Sequence, residues 1–384
     1  MTSAEEKNRS SSSHSYCVNG YQIEINSSTP YSVIENIWIN LEEKSNPPFF
    51  LSWAWISTWI STYSPKLITV TATFDNSIVA MGLFTASTEI RHKIIRSHQL
   101  RLHQVGCKLK DQIWIEYNDF ICSNKHRTNS VNACLKALQK KDFIWDEIII
   151  SMQVEKRSKE ISAAFKHSFL DESQPCYETE LAQLQKSNDG YLKSLSKNTR
   201  HQISKATRLY KEKYGPLVTH TAHNLTEALR YFHEAGEFHT RRWIDSGYKN
   251  SYFVKFHEEL IKKNFNNNCI NLHKIMAGER TIGILYFHLK GKKVYFYLQG
   301  LQTEVNPKLK PGLVAHSLVT QYYKDSGYES YDYMAGSSQY KTQLSKHKKN
   351  ITSIKIRRPR LKFYLEDLAR FIKKTPYIAF GGNK

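Results

Sequence analysis

One run of the sequence places three strand-like segments, a helix and a fourth strand in direct succession. The stretch "INLHKIMAGERTIGILYFHLKGKKVYFYLQGL" (270–301) divides into three strands at a Gly-Glu and a Gly-Lys turn signal. The stretch "PGLVAHSLVTQYYKDSG" (311–327) predicts a helix, because Pro opens it and Gly closes it. The alternating residues 328–335 then predict a strand. This order predicts an α/β (α+β) fold in which helices flank a mixed, mostly antiparallel sheet.

The first half of the chain has a similar but less regular order of elements. Helices are predicted at 32–43, at 52–63 and near 129–140, a hairpin at 66–87, and a strand at 145–154. In the second half, helical patterns at 191–215, 224–247 and 252–263 precede the three strands. We therefore interpret the chain as two tandem copies of one fold, of which the first is degenerate.

A loop-rich seam at 176–190 separates the two halves. We predict four segments, which are a disordered tail at 1–16, an N-terminal domain at 17–180, a C-terminal domain at 181–345 and a basic tail at 346–384.

Positive charge dominates the composition and concentrates at the C-terminal end. The 384 residues include 55 Lys+Arg against 35 Asp+Glu, a net charge of +20, and residues 343–384 hold 12 Lys/Arg against 2 Asp/Glu, a net of +10. This balance favours an anionic partner, such as nucleic acid, an acidic membrane or a phosphorylated ligand.

The basic tail contains a predicted amphipathic helix, "LKFYLEDLARFIKK" (361–374). Its apolar face comprises Leu361, Leu365, Leu368, Phe371 and Ile372. Two interpretations stay open: the helix packs this face on the body of the protein, or it binds an anionic membrane or a nucleic acid.

The cysteines and the start of the chain bear on the compartment. The six cysteines are scattered and form no C-x-x-C pair, which argues against a zinc ribbon and favours reduced thiols. The polar start resembles no secretory signal, and no run of about 18 apolar residues predicts a membrane-spanning helix. We expect a cytoplasmic protein that needs no metal.

The start of the 311–327 helix is a candidate phosphate site. A strand ends, a lysine-bearing loop follows, and Pro311-Gly312 opens the helix, whose first N–H groups lack helical partners. Gly312 lets a ligand approach the backbone, which suits phosphate or pyrophosphate. Taken alone, Pro-Gly also begins many helices that bind nothing.

Four blocks of the second half, in order, resemble the CelD-type (BioF-like) acetyltransferase domain of the GNAT superfamily. They are "SLSKNTRHQISKATR" (194–208), "FHTRRW" (238–243), "LKPGLVAHSLV" (309–319) and "YDYMAGSSQYK" (331–341), with Phe for Leu in the second block and Lys for Ser in the third. The resemblance covers roughly residues 190–345. The stretch "FFLSWAWISTWI" (49–60) resembles the family's degenerate first domain. The chain is thus expected to contain two tandem GNAT-like domains.

The resemblance implies a binding site for acetyl-CoA or a longer acyl-CoA. The donor would lie in a V-shaped gap between the strands 293–300 and 328–335. The pantetheine arm would run along Leu298, Gln299 and Gly300. The pyrophosphate would sit on the helix start formed by Pro311, Gly312, Leu313 and Val314, with charge from Lys308 and Lys310. Like the family, this chain lacks the usual Gln/Arg-x-x-Gly-x-Gly/Ala loop.

The resemblance also suggests catalytic residues for attack of an amine on a thioester. Asp332 is the candidate base, Tyr340 the candidate proton donor to the leaving thiolate, and Lys341 a stabiliser of negative charge on the carbonyl oxygen or a phosphate. Asp332 is equally well explained by a structural ion pair with Lys341 or Arg242, and Tyr340 by core packing.

Further residues are candidates for the acceptor side. His239 and Arg242 would face the acceptor, and Trp243 would form a wall of the pocket. Lys197, Asn198 and Arg200 would bind an anionic acceptor. In the alternative, His239 is a structural histidine, and the last three residues only cap and solvate a helix.

Three functions compete at this point. The first is an acyl-CoA-dependent N-acyltransferase that acts on a small amine or an amino sugar. The second is a Fem-like transferase that takes its acyl group from charged tRNA, although the sequence shows no long inserted helical arm. The third is a non-catalytic binding protein whose basic tail grips a membrane or a nucleic acid.

Overall fold

The computed structural model describes residues 13–140, 144–186 and 190–374, and only the backbone of residues 369–374. Within them, fourteen strands form one mixed sheet. The strands are β1 Ser13–Val18, β2 Tyr21–Asn26, β3 Leu67–Phe74, β4 Ser77–Arg91, β5 Ile95–Leu102, β6 Ile121–Cys122, β7 Glu147–Val154, β8 Ser168–Glu180, β9 Leu217–Thr221, β10 Ile270–Ala277, β11 Arg280–Lys290, β12 Lys293–Leu301, β13 Ser330–Ala335 and β14 His347–Arg357.

Twelve α-helices flank this sheet in the described part of the chain. They are α1 Tyr31–Ser45, α2 Trp53–Tyr63, α3 Arg127–Leu138, α4 Glu155–Ala164, α5 Leu181–Lys186, α6 Tyr191–Ser194, α7 Lys197–Tyr214, α8 Leu225–Arg242, α9 Ser251–Asn264, α10 Pro311–Asp325, α11 Gln339–Leu344 and α12 Leu361–Lys374. None of the described helices is both long and apolar enough to cross a bilayer.

The chain is built from two copies of one unit. The order strand, two helices, three strands, helix, strand occurs first in β2 to β7, apart from the short β6, and again in β9 to β13. In both copies the last strand pairs in parallel with the strand that precedes the last helix, so β7 pairs with β5 and β13 pairs with β12. The other pairings within each unit are antiparallel. The predicted tandem arrangement of two mixed, mostly antiparallel sheets is confirmed.

The two units exchange their final strands. Strand β8 follows the first unit in sequence but pairs with β13 of the second, and β14 follows the second unit but pairs with β7 of the first. Because β8 and β14 also pair with each other, they join both units into a single sheet. This exchange fixes the relative position of the two units and therefore the shape of any site between them.

The exchange corrects the predicted boundaries. Residues 347–357 form a strand in the middle of the sheet and not the start of a basic tail. Their lysines concealed the strand, because buried Ile351, Ile354 and Ile356 are interspersed with them. At the other end, β1 begins at Ser13, so residues 13–16 are not a disordered tail, and residues 1–12 lie outside the described part.

Local sequence signals explain several helix ends. The Asn224 side chain accepts a hydrogen bond from the backbone N–H of Glu227 (2.9 Å) and so caps α8. The Ser196 side chain caps α7 in the same way, and α7 ends at Gly215, where φ is +106°. The helical pattern at 191–215 therefore forms two helices, α6 and α7, with the break between Ser194 and Lys197.

Candidate active site

The parallel strands β12 and β13 separate part-way along their length. Lys293, Val294 and Tyr295 pair with residues 330–332, and the pairing stops there. Met334 has a left-handed backbone (φ +62°), and the pairing of β13 with its other neighbour, β8, shifts register between Asp332 and Ala335. Residues of β12 beyond Tyr295 therefore have no partner in β13, and a gap opens between the two strands.

A cleft of about 1010 Å³ lies in this gap, and we call it the α10 cleft. Eleven of the predicted site residues line it: His239, Arg242, Trp243, Leu298, Gln299, Lys310, Pro311, Gly312, Leu313, Tyr340 and Lys341. They come from α8, β12, α10 and α11 or from the residues next to these elements, all within the second half of the chain.

The first turn of α10 forms one end of the cleft. Lys310 precedes the helix with a left-handed backbone (φ +48°), and no side chain caps the helix start. The backbone N–H groups of Gly312 and Leu313 therefore lack partners within the helix. Val314 is different, because its N–H donates to the Lys310 carbonyl (3.2 Å) and its side chain is buried, so its predicted contact with pyrophosphate is not supported by the geometry.

Gly300 does not line the cleft either. A Cβ atom on Gly300 would lie 2.3 Å from the backbone oxygen of Ala235, so the absence of a side chain lets α8 pack closely on β12. The predicted role of Gly300 along the pantetheine arm is thus replaced by a packing role.

We expect Gly300→Ala to lower the free energy of unfolding by about 1–3 kcal/mol, because the added methyl forces α8 away from β12. Urea denaturation measures this loss. Gly291→Ala is the matched control for a glycine in open space, since nothing lies within 4 Å of its Cβ position, although its φ of +56° costs some strain. Equal effects of both substitutions would contradict the packing role.

Tyr340 and Gln299 are held in place by a buried histidine. The ring of Tyr340 stacks on His316 with centroids 5.1 Å apart. Nε2 of His316 contacts the side-chain oxygen of Gln299 (3.1 Å), and Nδ1 contacts the hydroxyl of Tyr331 (2.8 Å). Burial lowers the pKa of His316 to about 3 and raises that of Tyr340, so His316 is neutral and Tyr340 keeps its proton near neutral pH.

A second cavity, of about 480 Å³, adjoins the α10 cleft, and Glu116 lies in its wall. We call it the Glu116 cavity. One carboxylate oxygen of Glu116 accepts a hydrogen bond from the backbone N–H of Ala335 (3.0 Å), just past the point where β12 and β13 separate. Burial raises the pKa of Glu116 to about 7, although Lys341 acts in the opposite direction. A carboxyl group with such a pKa can accept and release a proton near neutral pH.

Lys341 lies in the wall of both cavities. Its Nζ donates hydrogen bonds to the backbone oxygens of Met334 (3.3 Å) and Ala335, which hold the ammonium group at the open end of β13. Burial lowers the pKa of Lys341, while Glu116 opposes this effect. Glu116 and Lys341 thus place one proton acceptor and one cation beside the gap between β12 and β13.

Asp332 lies outside this constellation. Its carboxylate is fully buried, accepts hydrogen bonds from the hydroxyl of Tyr117 (2.6 Å) and the N–H of Met334 (2.9 Å), and pairs with Lys349 (3.1 Å) and Lys293 (3.2 Å). Burial alone would raise its pKa, but the two lysines outweigh burial and lower it. This environment is that of a structural ion pair, with partners other than those predicted.

A third cavity, of about 1140 Å³, extends the path on the far side of Glu116. It lies between the β4–β5 hairpin and the loop before α9, and we call it the hairpin cavity. Trp114 lines all three cavities, and Gln104 and Asp111 line both the hairpin cavity and the Glu116 cavity. The three spaces therefore follow one another, with Glu116 and Lys341 near the middle.

Comparisons with known proteins agree with this geometry. The model of the acetyltransferase (GNAT) domain family matches residues 197–342, which hold the α10 cleft apart from Trp114 and Gln343. Residues 197–342 are thus similar to the acetyltransferase (GNAT) domain family. A search of curated proteins finds no match to the chain.

Several solved structures are similar in fold to both units of this chain. FemX is 10% identical, with a TM-score of 0.56 over 87% of this chain and 97% of FemX. A conserved protein of unknown function from Bacteroides thetaiotaomicron is 8% identical, with a TM-score of 0.52 over 87% and 99%. L-PGS from Bacillus licheniformis is 8% identical, with a TM-score of 0.50 over 88% and 97%. At these identities the likeness shows the fold alone.

The predicted acceptor-side residues fall into two groups, of which one lines the α10 cleft and the other does not. His239 lies in the cleft wall, where its Nδ1 contacts the Ser246 hydroxyl (2.8 Å), and burial and Arg242 lower its pKa to about 4. The Arg242 guanidinium lies over the Trp243 ring, 5.7 Å from its centroid. His239 is thus a neutral polar group near neutral pH.

The three candidates on α7 lie away from the α10 cleft. Asn198 lines a separate small cavity with Ser345 and Lys346, and Arg200 donates to the Lys193 carbonyl (2.9 Å). Lys197 is exposed in the first turn of α7. Their arrangement agrees with the alternative interpretation, in which they solvate the helix start and tie it to the chain before it.

Sequence reasoning missed Glu116, because it lies in the first unit and outside the matched GNAT segment. The segment around it, "DQIWIEYNDF" (111–120), has no clear helical or strand period. Its one local signal is a single acid between Ile115 and Tyr117, both of which are buried. No group of His, Cys, Asp or Glu in the described residues is arranged as a metal site.

Proposed function

We propose that this protein is an acyl-CoA-dependent N-acyltransferase that moves an acyl group from a CoA thioester to an amine. The observation that carries the proposal is the gap between β12 and β13. It runs from the uncapped start of α10 to the Glu116–Lys341 pair, so a long donor can lie along it with its reactive end beside a base.

The chemistry of the α10 cleft suits a phosphorylated donor. The free N–H groups of Gly312 and Leu313 and the partial positive charge of the helix start favour phosphate oxygens. Lys310 and Arg242 add two cations to the wall. The unpaired edge of β12 offers backbone groups to the amides of a pantetheine arm, because the strand has lost its partner there.

In the proposed reaction, the acceptor ammonium first loses a proton to solvent, and the neutral nitrogen attacks the thioester carbonyl. A C–N bond forms, Lys341 stabilises the negative oxygen of the tetrahedral intermediate, and Glu116 takes the proton that the nitrogen then loses, directly or through one water. The C–S bond then breaks, and the leaving thiolate takes a proton from Tyr340. Tyr340 regains its proton from solvent, and Glu116 releases the proton that it took.

The acceptor is proposed to enter through the hairpin cavity and the Glu116 cavity. In the wall of the Glu116 cavity, three carboxylates (Asp111, Glu116 and Glu172) outnumber the ammonium group of Lys341. The hairpin cavity holds Arg101, Lys108 and Lys249 beside its own carboxylates, so the attraction for a positively charged amine comes from the Glu116 cavity. This attraction supports a small amine or an amino sugar as the acceptor class.

The proposal predicts that CoA and acyl-CoA stabilise the protein. A ligand present at about 100 times its dissociation constant adds about 2.7 kcal/mol to the free energy of unfolding, which a thermal-shift assay detects. Gly312→Asp is expected to weaken CoA at least tenfold, because the new carboxylate repels phosphate. The same substitution favours the helix start, so the unliganded protein is expected to stay folded.

Charged tRNA serves as the second arm of this experiment. Stabilisation by aminoacyl-tRNA and not by any acyl-CoA would overturn the CoA proposal in favour of a Fem-like donor. The absence of a shift with either ligand would favour a binding protein without this activity.

A further inference from the structure

The C-terminal helix α12 packs on the body through Phe363 and Glu366 and leaves three leucines exposed. Phe363 and Glu366 are buried, and Glu366 pairs with Arg91 (3.4 Å). In contrast, Leu361, Leu365 and Leu368 are 75%, 57% and 55% exposed. The interpretation that α12 buries its apolar face on the protein is therefore wrong for these three leucines, and the side chains of Phe371 and Ile372 lie outside the described residues.

Two other elements expose isoleucines beside α12. Ile94, at the tip of the β4–β5 hairpin, is 83% exposed, and Ile144, just before β7, is 87% exposed. Large aliphatic side chains that are this exposed rarely cluster on a protein surface that faces only water, because contact with water does not stabilise them.

Specific contacts bring the three elements together. Lys362 of α12 donates to the backbone oxygen of Arg96 in the hairpin (2.7 Å) and pairs with Asp146 at the start of β7 (2.6 Å). The side chain of His92 contacts Glu366 (3.6 Å). The hairpin tip, the segment before β7 and α12 are thus neighbours, although they are far apart in sequence.

Basic residues accompany the aliphatic ones. Lys93, Arg96, Lys140 and Arg360 are all exposed on these same three elements or beside them. We call the combined set the basic–apolar surface: Ile94, Ile144, Leu361, Leu365 and Leu368 together with these four cations.

We propose that the basic–apolar surface docks this protein on an anionic lipid bilayer. Aliphatic side chains that enter the boundary between headgroups and acyl chains gain burial, and lysines and arginines beside them attract anionic headgroups. A nucleic acid would use the cations and aromatic stacking but would leave five large aliphatic side chains in water. The combination of charge and aliphatic groups therefore favours a membrane over a nucleic acid.

Docking at this surface would bring the bilayer close to the cavities. Ile90 and Glu89, next to the hairpin tip, line the hairpin cavity, which adjoins the Glu116 cavity. The docking itself does not depend on acyl transfer, so it is tested separately from the proposed function.

Vesicle co-sedimentation tests the proposal. The full chain is expected to bind vesicles of phosphatidylcholine with one quarter phosphatidylglycerol at least tenfold more tightly than vesicles of phosphatidylcholine alone. The triple variant Leu361→Gln, Leu365→Gln, Leu368→Gln and, independently, the double variant Ile94→Gln, Ile144→Gln are each expected to weaken this binding at least fivefold. The two variants alter different elements, so misfolding of one does not decide the result.

Control variants change exposed residues elsewhere on the protein. Val33→Gln with Val218→Gln removes two exposed aliphatic groups, and Arg208→Gln with Lys211→Gln removes two exposed cations of α7. Both are expected to bind vesicles as the unchanged protein does, whereas Lys93→Gln with Arg96→Gln binds more weakly.

Several results would overturn the proposal. One is the same affinity for both vesicle types, and another is unchanged binding by all variants of the basic–apolar surface. A third is loss of tRNA binding by these variants without any vesicle binding by the full chain. Gel filtration adds a fourth: if the leucine variant converts a dimer into a monomer, a second copy covers this surface instead of a bilayer.

Discussion

Replacement of Glu116 by Gln is expected to lower kcat/KM for acyl transfer by about 10²- to 10⁴-fold while the protein stays folded. Glu116 is the carboxyl group that lines the cavity beside the strand gap and has its pKa raised to about 7. The amide of Gln keeps an acceptor for the N–H of Ala335 but cannot take a proton from an amine. Release of the CoA thiol from acetyl-CoA, in the presence of a panel of primary amines, measures the loss.

The pH dependence gives a second signature of the same residue. Glu116 must be ionised to act as a base, so kcat/KM of the unchanged protein should fall as the pH decreases through about 7. Glu116→Gln should lack this decline. Glu212→Gln, an exposed acid on α7, is the control and should keep both the rate and the pH profile. A Gln variant at position 116 with the unchanged rate would contradict the assignment.

Glu116→Gln should raise the free energy of unfolding at the pH at which it lowers the rate of acyl transfer. The pKa of Glu116 is higher in the folded than in the unfolded chain, so the folded protein holds the proton more tightly and loses stability as the pH rises from about 4.5 to 7. At pH 8, Glu116→Gln is therefore expected to be more stable than the unchanged protein by about 1–3 kcal/mol, and near pH 4.5 the two should converge. A gain in stability with a loss of activity excludes unfolding as the cause of inactivity.

Replacement of Asp332 by Asn is expected to lower the free energy of unfolding by about 3 kcal/mol at neutral pH. The substitution leaves Lys293 and Lys349 to share Glu178, 2.7 Å from each, as their remaining acidic partner in this network. It also weakens the hydrogen bond that holds Met334 in its left-handed conformation, where β13 leaves β12. Urea denaturation at pH 7 measures the loss.

The sign of the pH effect follows from the lowered pKa of Asp332. Its contribution to stability is present above the ordinary pKa of an aspartate, near 4, and is lost as the pH falls through the lower folded value. The difference between the two proteins should therefore shrink below about pH 4. Asp325→Asn, which changes an exposed acid on α10, is the control. Full stability of Asp332→Asn combined with a thousandfold loss of rate would restore Asp332 as the base.

The parts of the fold that sequence predicts are those with local signals. Helix α10 carries Pro311 at its start, and the three strands before it are separated by glycine turns, so their order and the position of Gly312 beside a strand end follow from the sequence. The site residues on these elements meet in the α10 cleft because they lie in one continuous segment, residues 197–342, which the family model matches.

The remaining features depend on contacts between the two units. The lysines of β14 interrupt its apolar pattern in the sequence, so only its pairing with β7 and β8 identifies it as a strand of the sheet. Glu116 reaches β13 across 219 positions of the chain, and no spacing rule connects residues of that separation. For the same reason the sequence leaves Asp332 open between a base and a structural ion pair: its alternating position predicts a strand but does not reveal that Tyr117 and Lys349 enclose it.

A crystal structure of the protein with an unreactive analogue of acetyl-CoA tests the proposed donor site most directly. We expect phosphate groups against the N–H groups of Gly312 and Leu313, a pantetheine arm along β12 beyond Tyr295, and the carbonyl of the analogue beside Lys341 and Glu116. If the analogue binds elsewhere and the gap between β12 and β13 stays empty, the proposed function is wrong.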